Sequence, residues 1–202
     1  MDAFGCDIVL DSPTDRLRLI EKPYRLPFPA ATFDFVGSLT VFEHVQNPSE
    51  AFREIYRVLR PGGTSIHTFP SRWLLLEPHT HVPLGTVVRT LPWLQFWAAL
   101  GVRNEFQHTK APDEVALLNY HYLRENTKYL TRRGIKRAIE PWFPHARFAE
   151  AAGIAAAEAA GIAASNRRLG PLVSLARRSS IVPRAYSGLR ARVIFLEKPT
   201  TV

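Results

Sequence analysis

The sequence predicts an α/β domain with a mainly parallel sheet, because one strand–helix–strand unit lies between residues 33 and 69. Residues 33–39 are a near-continuous apolar run, which is typical of a parallel strand covered on both faces. Residues 48–59 carry apolar side chains at helical spacing, and residues 64–69 have the pattern of a second strand. Short links in such a unit imply a right-handed crossover and therefore parallel pairing.

Both ends of the central helix are marked in the sequence. Asn47 is a natural N-cap, Pro48 suits the first helical turn, and Glu50 stands three residues after the cap. Residues 61–63, Pro-Gly-Gly, are expected to end the helix before the next strand begins.

Shorter patterns indicate the remaining elements of a single domain spanning residues 1–202. We expect strands at 6–11, 17–21, 146–149 and 190–197, and a helix at 129–139 capped by Thr131. Residues 71–125 are predicted to form an aromatic insertion of loops and short helices. Residues 150–180 are predicted to be an alanine- and arginine-rich helical segment. It contains Glu-Ala-Ala-Gly-Ile-Ala-Ala at 150–156 and again at 158–164, which we interpret as a local duplication.

The amino-acid composition excludes some classes of protein and favours others. The single cysteine, Cys6, excludes a disulfide framework and favours a reducing compartment, so we expect a cytoplasmic protein. The net charge is +8, but the basic residues are dispersed and no nucleic-acid-reading motif accompanies them, so nucleic acid is not predicted as a partner. Residues 82–100 are apolar but are interrupted by Arg89 and Pro92, which favours a lid over a membrane-surface contact.

Four short motifs occur in order: Leu26-Pro27-Phe28, Phe33-Asp34, Glu43-His44-Val45 and, at 57–63, Arg-Val-Leu-Arg-Pro-Gly-Gly. Together they resemble the second half of a class I S-adenosylmethionine-dependent methyltransferase of the type 11 kind. The resemblance implies a Rossmann-like sheet in which residues 33–39 are the fourth strand and residues 64–69 the fifth. It also implies S-adenosylmethionine as cofactor and a small-molecule methyl acceptor, with the insertion following the fifth strand.

The resemblance also implies which residues contact the cofactor. Asp11 matches the acid that binds the ribose hydroxyls, although it is equally well explained as a turn acid before Pro13. The loop beside the adenine corresponds to Tyr24, Arg25 and Leu26, and Tyr24-Arg25 stands where many members carry an acid. The residues expected at the methionine end are Ser38, Leu39 and Thr40.

Three histidines are candidates for chemistry on the acceptor. His44 follows Glu43, which suggests acid–base chemistry, but in the family this histidine is a common helix-start element. His79 and His81 alternate with Glu77, as on one side of an extended segment. Such spacing can serve a metal. No cysteine or H-E-x-x-H helix accompanies it, so we expect no metal there, and polar substrate contacts or ordinary loop packing remain the alternatives.

One expected feature of the family is missing. None of the eleven glycines forms the G-x-G-x-G loop whose amides approach the methionine carboxylate, and only five residues precede Cys6. We therefore expect an N-terminally incomplete sheet with open strand edges and impaired cofactor binding. The alternative function is a non-catalytic methyltransferase-like remnant or interaction module.

Overall fold

The structure is a computed structural model that describes residues 2–148 and 191–200. Its elements are, in chain order, β1 (Gly5–Asp7), β2 (Leu17–Leu19), β3 (Phe33–Leu39), α1 (Pro48–Val58), β4 (Leu59–Pro70), α2 (Leu91–Ala99), α3 (Pro112–Glu125), α4 (Arg132–Ile139), β5 (Arg147–Phe148) and β6 (Ala191–Glu197). The alanine- and arginine-rich segment expected at 150–180 lies outside the described residues.

The strand–helix–strand unit is confirmed. β3 and β4 pair in parallel, with Phe35 opposite Thr64 and Leu39 opposite Thr68, and α1 connects them. The four-stranded sheet has the order β3-β4-β6-β5, in which β6 runs antiparallel to both β4 and β5. β1 and β2 pair in parallel as a separate two-stranded sheet. The chain is therefore an α/β protein with the predicted parallel crossover at its centre.

α1 forms as its capping sequence predicts. The Asn47 side chain accepts a hydrogen bond from the Glu50 amide at 3.5 Å, and Pro48 lies in the first turn. Phe52, Ile55 and Val58 are buried on one face against the main core. This spacing of three and four residues is what an amphipathic helix needs to cover a sheet.

Residues 61–63 lie inside β4 rather than between the helix and the strand, which corrects the expected boundary. Phe33 pairs with Leu59 and Phe35 with Thr64, so residues 60–63 form a bulge in the register. A Cβ atom on Gly63 would lie 2.9 Å from the Arg60 carbonyl oxygen. Gly62 has φ of +77°, and its amide donates to the Lys198 carbonyl at 2.9 Å. The glycines therefore allow the bulge to bond to the end of β6.

Two strands differ from their predictions, one in the burial of its faces and the other in its length. β3 was expected to be covered on both faces, but Phe35, Gly37 and Leu39, which share one face of the strand, are exposed, so none of the described elements covers that face. The strand expected at 6–11 ends at Asp7, and Ile8 and Val9 are 70% and 73% exposed. β1 pairs only with β2, over three residues, so this pairing does not extend to Ile8 and Val9. Within residues 2–148 and 191–200, the expected open strand edges are present.

The insertion at 71–125 has a core of its own. The buried side chains of this second cluster are Val82, Leu94, Ala98, Val115, Ala116 and Leu123. They join α2 to α3, while α4 packs on α1 and begins at its predicted cap, Thr131, whose hydroxyl accepts from the Gly134 amide. Over the described ranges, no helix is both long enough and apolar enough to cross a membrane.

Candidate functional site

The Leu26-Pro27-Phe28 turn is fastened to α1 by a buried ion pair. The Arg57 guanidinium donates to the carbonyl oxygens of Phe28 at 2.8 Å and Leu26 at 3.0 Å. The Glu54 carboxylate accepts from the Leu26 amide at 3.1 Å and from Arg57 at 2.7 Å. Burial acts to raise the Glu54 pKa, but its bonds with Arg57 and Leu26 outweigh this and hold the pKa below the ordinary value. The turn motif and the helix motif are therefore parts of one structural unit.

The residues predicted beside the adenine are only partly available to a ligand. The Tyr24 hydroxyl accepts from the Asn47 amide at 2.7 Å, so Tyr24 supports the start of α1. Arg25 lies 3.6 Å from the Glu54 carboxylate, and Leu26 packs against the main core. Asp11 is exposed and lies four residues beyond the end of β1, where Asp7 is the terminal acid. The Asp7 carboxylate accepts from the amides of the next two residues.

At the carboxyl end of β3, Ser38 and Thr40 already have partners within the sheet. The Ser38 hydroxyl lies 2.8 Å from His67 Nδ1, and the Thr40 amide donates to the Thr68 carbonyl at 2.8 Å. Burial lowers the pKa of His67 to about 4, which keeps this imidazole neutral at pH 7. Leu39, by contrast, is 71% exposed. Of the three predicted residues, Leu39 offers the freest surface to a ligand.

The insertion is bonded to the loop that follows β3. His44 Nδ1 donates to the Asn126 carbonyl at 2.8 Å, and the Lys128 amide donates to the Glu43 carbonyl. The Gln46 side chain donates to the Glu125 carbonyl at 3.2 Å. These bonds join the end of α3 to the carboxyl end of a parallel strand, which is the side where open α/β sheets bind ligands.

Glu77 is a fully buried carboxylate whose two oxygens are both occupied. Oε1 accepts from the Tyr129 hydroxyl at 2.6 Å and from His79 Nδ1 at 2.8 Å. Oε2 accepts from the Thr80 amide and hydroxyl at 2.6 and 2.7 Å, and from the His79 amide. Burial acts to raise the pKa of Glu77, but the hydrogen bonds outweigh it and bring the pKa to about 2. Glu77 therefore stays ionised and fixes the orientation of the His79 ring.

Two of the three predicted histidines come together, and the third does not. The rings of His44 and His79 lie 4.9 Å apart between centroids, edge to face. His81 instead places Nδ1 3.4 Å from the Arg103 carbonyl. The hydrogen bond to Glu77 raises the pKa of His79, and this outweighs the effect of burial. The sequence pattern of alternating histidines thus does not describe the actual grouping.

Glu43 completes this grouping. Its side chain is 2% exposed, and Oε2 has no hydrogen-bond partner among the described residues. Burial raises the pKa of its carboxyl. One ligand atom from each of Glu43, His44 and His79 lies within 4.8 Å of the other two. We call these three residues the Glu–His–His cluster.

Two tyrosines lie near the cluster, and no sequence pattern marked them as candidate site residues. The Tyr122 ring lies 5.4 Å from that of His79, and Tyr129 bonds to Glu77 as described. Burial, followed by the nearby Glu77 charge, raises the pKa of both hydroxyls. Tyr122 lies on α3 within the insertion and Tyr129 follows it, so only the folded structure brings both tyrosines to His79.

Comparison with known proteins shows similarity over part of the chain. A family model described as a methyltransferase domain matches residues 11–67. An uncharacterized methyltransferase of Schizosaccharomyces pombe is 50% identical over 40 residues, which are 20% of this chain and 14% of that protein. A Mycolicibacterium smegmatis protein, named as a probable S-adenosylmethionine-dependent methyltransferase, is 37% identical over 60 residues. That match covers 30% of this chain and 23% of the relative. The matches therefore span less than a quarter of either relative.

A solved structure shares the fold more broadly. The crystal structure of an S-adenosylmethionine-dependent methyltransferase from Mesorhizobium loti aligns with 98% of this chain and 81% of its own, with a TM-score of 0.51. Sequence identity across that alignment is 11%. This likeness shows a Rossmann-like fold and does not extend to individual side chains.

Proposed function

We propose that the protein acts in methyl transfer to a small-molecule acceptor, because residues 11–67 match the family model of a methyltransferase domain. The observation that carries the proposal is the docking of the insertion onto the loop after β3. This docking brings the Glu–His–His cluster to the carboxyl end of β3, the ligand side of such a sheet.

The described residues fit the family's cofactor only in part. Leu39 offers an exposed apolar surface suited to the methylene groups of the cofactor, whereas in the turn at 26–28 Phe28 is buried and Leu26 packs against the main core. The polar groups nearby are engaged elsewhere, because Ser38 is paired with His67 and the Thr40 amide with Thr68. They do not fit the methionine carboxylate, which needs free donors. We therefore propose that the chain by itself holds S-adenosylmethionine weakly.

The acceptor side is better organised. In methyl transfer, rate comes chiefly from holding the nucleophile in line with the methyl group, so rigid polar contacts matter more than a strong base. His79 is held by Glu77, and His44 is held by Asn126. We propose that these two rings line the acceptor side of the site.

Residues 82–100 are proposed to cover the acceptor as a lid rather than anchor to a membrane. Trp93 and Trp97 pack against the insertion's own core and are only partly exposed. The Trp93 indole also donates to the Pro83 carbonyl at 2.9 Å. A side chain anchored in this way is poorly placed to enter a bilayer.

The second candidate is a non-catalytic methyltransferase-like interaction module. It is favoured by one observation, that Tyr24, Arg25, Ser38 and Thr40 all have partners inside the protein. A domain whose predicted cofactor residues are bonded to other parts of the protein can keep its fold without a ligand.

Calorimetric titration with S-adenosylmethionine tests the cofactor part. Each missing charge-assisted hydrogen bond costs about 1.5–3 kcal/mol, so loss of two moves a micromolar affinity towards millimolar. We expect a dissociation constant on the order of 1 mM for the chain. A low-micromolar value would show that other groups hold the carboxylate.

Release of S-adenosylhomocysteine tests catalysis, measured over a panel of small amines, phenols and hydroxy acids at saturating cofactor. The Leu39→Asp variant should lose release, since it places a charge where the cofactor needs an apolar surface. Leu118→Asp is the matched control, because Leu118 is an exposed leucine on α3. Release that Leu39→Asp leaves unchanged would refute the proposed site. No release with any acceptor would favour the interaction module.

A further inference from the structure

We propose that the Glu–His–His cluster is a binding site for a divalent transition-metal ion, with zinc as its representative. The ligands are a carboxylate oxygen of Glu43 and one imidazole nitrogen each from His44 and His79. One ligand atom from each residue already lies within 4.8 Å of the other two. This inference goes beyond the proposed methyl transfer and does not depend on it.

The hydrogen bonds of the two histidines select the nitrogen that faces the metal. His44 Nδ1 bonds to the Asn126 carbonyl, and His79 Nδ1 bonds to the Glu77 carboxylate, each at 2.8 Å. Both oxygens can only accept, so both Nδ1 atoms carry hydrogen. In the neutral rings, Nε2 is then the nitrogen with the free lone pair. Metal-binding histidines are oriented by the same kinds of partner, a backbone carbonyl or a carboxylate.

Glu43 provides an independent indication of a ligand. Its side chain is almost wholly buried, yet Oε2 has no hydrogen-bond partner in the described parts of the chain. A buried carboxylate oxygen without a partner is costly to the fold, and a cation supplies the missing interaction. The fully bonded Glu77 adds a second negative charge behind His79, so the surroundings favour a divalent cation.

The distances require a modest adjustment. Zinc binds imidazole nitrogen at about 2.0–2.1 Å, so tetrahedral ligands lie roughly 3.3 Å from one another. The three ligand atoms, which lie within 4.8 Å of one another, must therefore move closer by up to about 1.5 Å when the ion binds. Three protein ligands leave a fourth position open, and His44 lies on the exposed side of the cluster. A water molecule or a donor atom of another ligand can occupy that position.

The types of ligand atom also limit which metals can bind at this site. Two imidazoles and one carboxylate suit zinc, cobalt, nickel or ferrous iron, whereas magnesium and calcium prefer oxygen ligands alone. In the sequence, the spacing of Glu77, His79 and His81 could serve a metal, although no metal was expected there. In the folded protein Glu77 has both oxygens occupied and His81 lies beside Arg103, so that set is replaced by ligands from two separate loops.

The test is titration of the full metal-free chain with zinc chloride, followed calorimetrically, together with the visible spectrum of the cobalt-substituted protein. A Cys6→Ser background removes the thiol as a competing ligand. We expect one zinc ion per chain with a micromolar or tighter dissociation constant, and cobalt absorption typical of four-coordinate geometry. Zinc should also raise the melting temperature, as any ligand of the native state does.

Single substitutions test which side chains bind the zinc ion. His44→Gln removes a ligand near the surface and should weaken zinc binding at least tenfold. Glu43→Gln keeps the shape of the side chain and should do the same. His121→Gln is the matched control, since His121 is an exposed histidine on α3 that bonds to Glu125 and lies outside the cluster.

Two results would overturn the proposal: no stoichiometric zinc binding, or binding that His44→Gln leaves unchanged. If Glu43→Gln fails to fold, His44→Gln still decides the matter, because its ring lies at the edge of the cluster. Neither result involves S-adenosylmethionine, so failure of the metal site and failure of the proposed methyl transfer are distinguishable.

Discussion

Replacing Arg57 with methionine should destabilise the protein strongly, because it leaves a buried carboxylate without its main partner. The Glu54 and Arg57 side chains are 2% and 20% exposed, and they are joined at 2.7 Å. Arg57 also supplies the donors for the Leu26 and Phe28 carbonyls. Breaking a buried ion pair by removing one partner typically costs about 3–5 kcal/mol. We expect a loss in that range.

The same helix contains a matched control. Arg53 and Glu50 form an ion pair with the same three-residue spacing at 2.6 Å, but their side chains are 48% and 40% exposed. Exposed pairs contribute roughly 0–1 kcal/mol, so Arg53→Met should cost less than about 1 kcal/mol. The two variants remove the same group and differ in burial and in the two main-chain hydrogen bonds that only Arg57 makes.

Urea unfolding followed by far-ultraviolet circular dichroism measures both variants against the parent chain, with a common m-value checked. The double variant Glu54→Met/Arg57→Met should lose clearly less than the two single variants combined, because no charge is left alone in the interior. If Arg57→Met lowers the free energy of unfolding no more than Arg53→Met does, the buried ion pair does not hold the Leu26-Pro27-Phe28 turn. The proposed structural role of Arg57 is then wrong.

Three further predictions concern the sheet. Burial lowers the pKa of His67 to about 4, against an ordinary 6.5, so the folded state resists protonation. Stability should therefore fall as the pH drops from 6.5 towards 4, by about 2 kcal/mol at pH 5. His67→Phe should remove that part of the pH dependence of the free energy of urea unfolding. If the variant loses as much stability between pH 6.5 and pH 4 as the parent chain does, the prediction for His67 is wrong. Lys198 Nζ donates to the carbonyls of Tyr56 and Leu59 at 2.9 Å each, so Lys198→Met should cost about 1–3 kcal/mol in thermal unfolding. A cost near zero would mean that water replaces the lysine. Gly63→Ala should cost about 1–3 kcal/mol in urea unfolding, because its Cβ would lie 2.9 Å from a carbonyl oxygen. An unchanged midpoint would show that the bulge relaxes freely.

Local signals predicted the central crossover well. Asn47 and Pro48 mark the start of α1, and the apolar spacing of Phe52, Ile55 and Val58 marks its buried face. These signals act within one or two turns of helix, so they do not depend on the rest of the fold. The strand boundaries were less accurate, because a strand ends where its partner ends. β4 extends back to Leu59 through the glycine bulge for that reason.

The predicted grouping of the candidate site failed where it depended on contacts between distant residues. Alternation suggested that His79 and His81 act together, but the turn between them directs His81 to Arg103. Glu43 and His44 were recognised as a motif without any indication that His79 lies beside them. Their meeting depends on the bonds of Asn126 and Lys128 to the loop after β3, which no local pattern encodes.

The sequence by itself determined the α/β class, the parallel β3–α1–β4 unit and the methyltransferase resemblance, because each depends on short-range periodicity and on motifs of adjacent residues. Only the tertiary structure decided which polar groups are free. In the folded protein Ser38 is paired with His67 and both oxygens of Glu77 accept hydrogen bonds, whereas one oxygen of Glu43 has no partner among the described residues. Hydrogen-bond satisfaction in a buried site is a property of the complete packing, so residue type and spacing alone do not fix it.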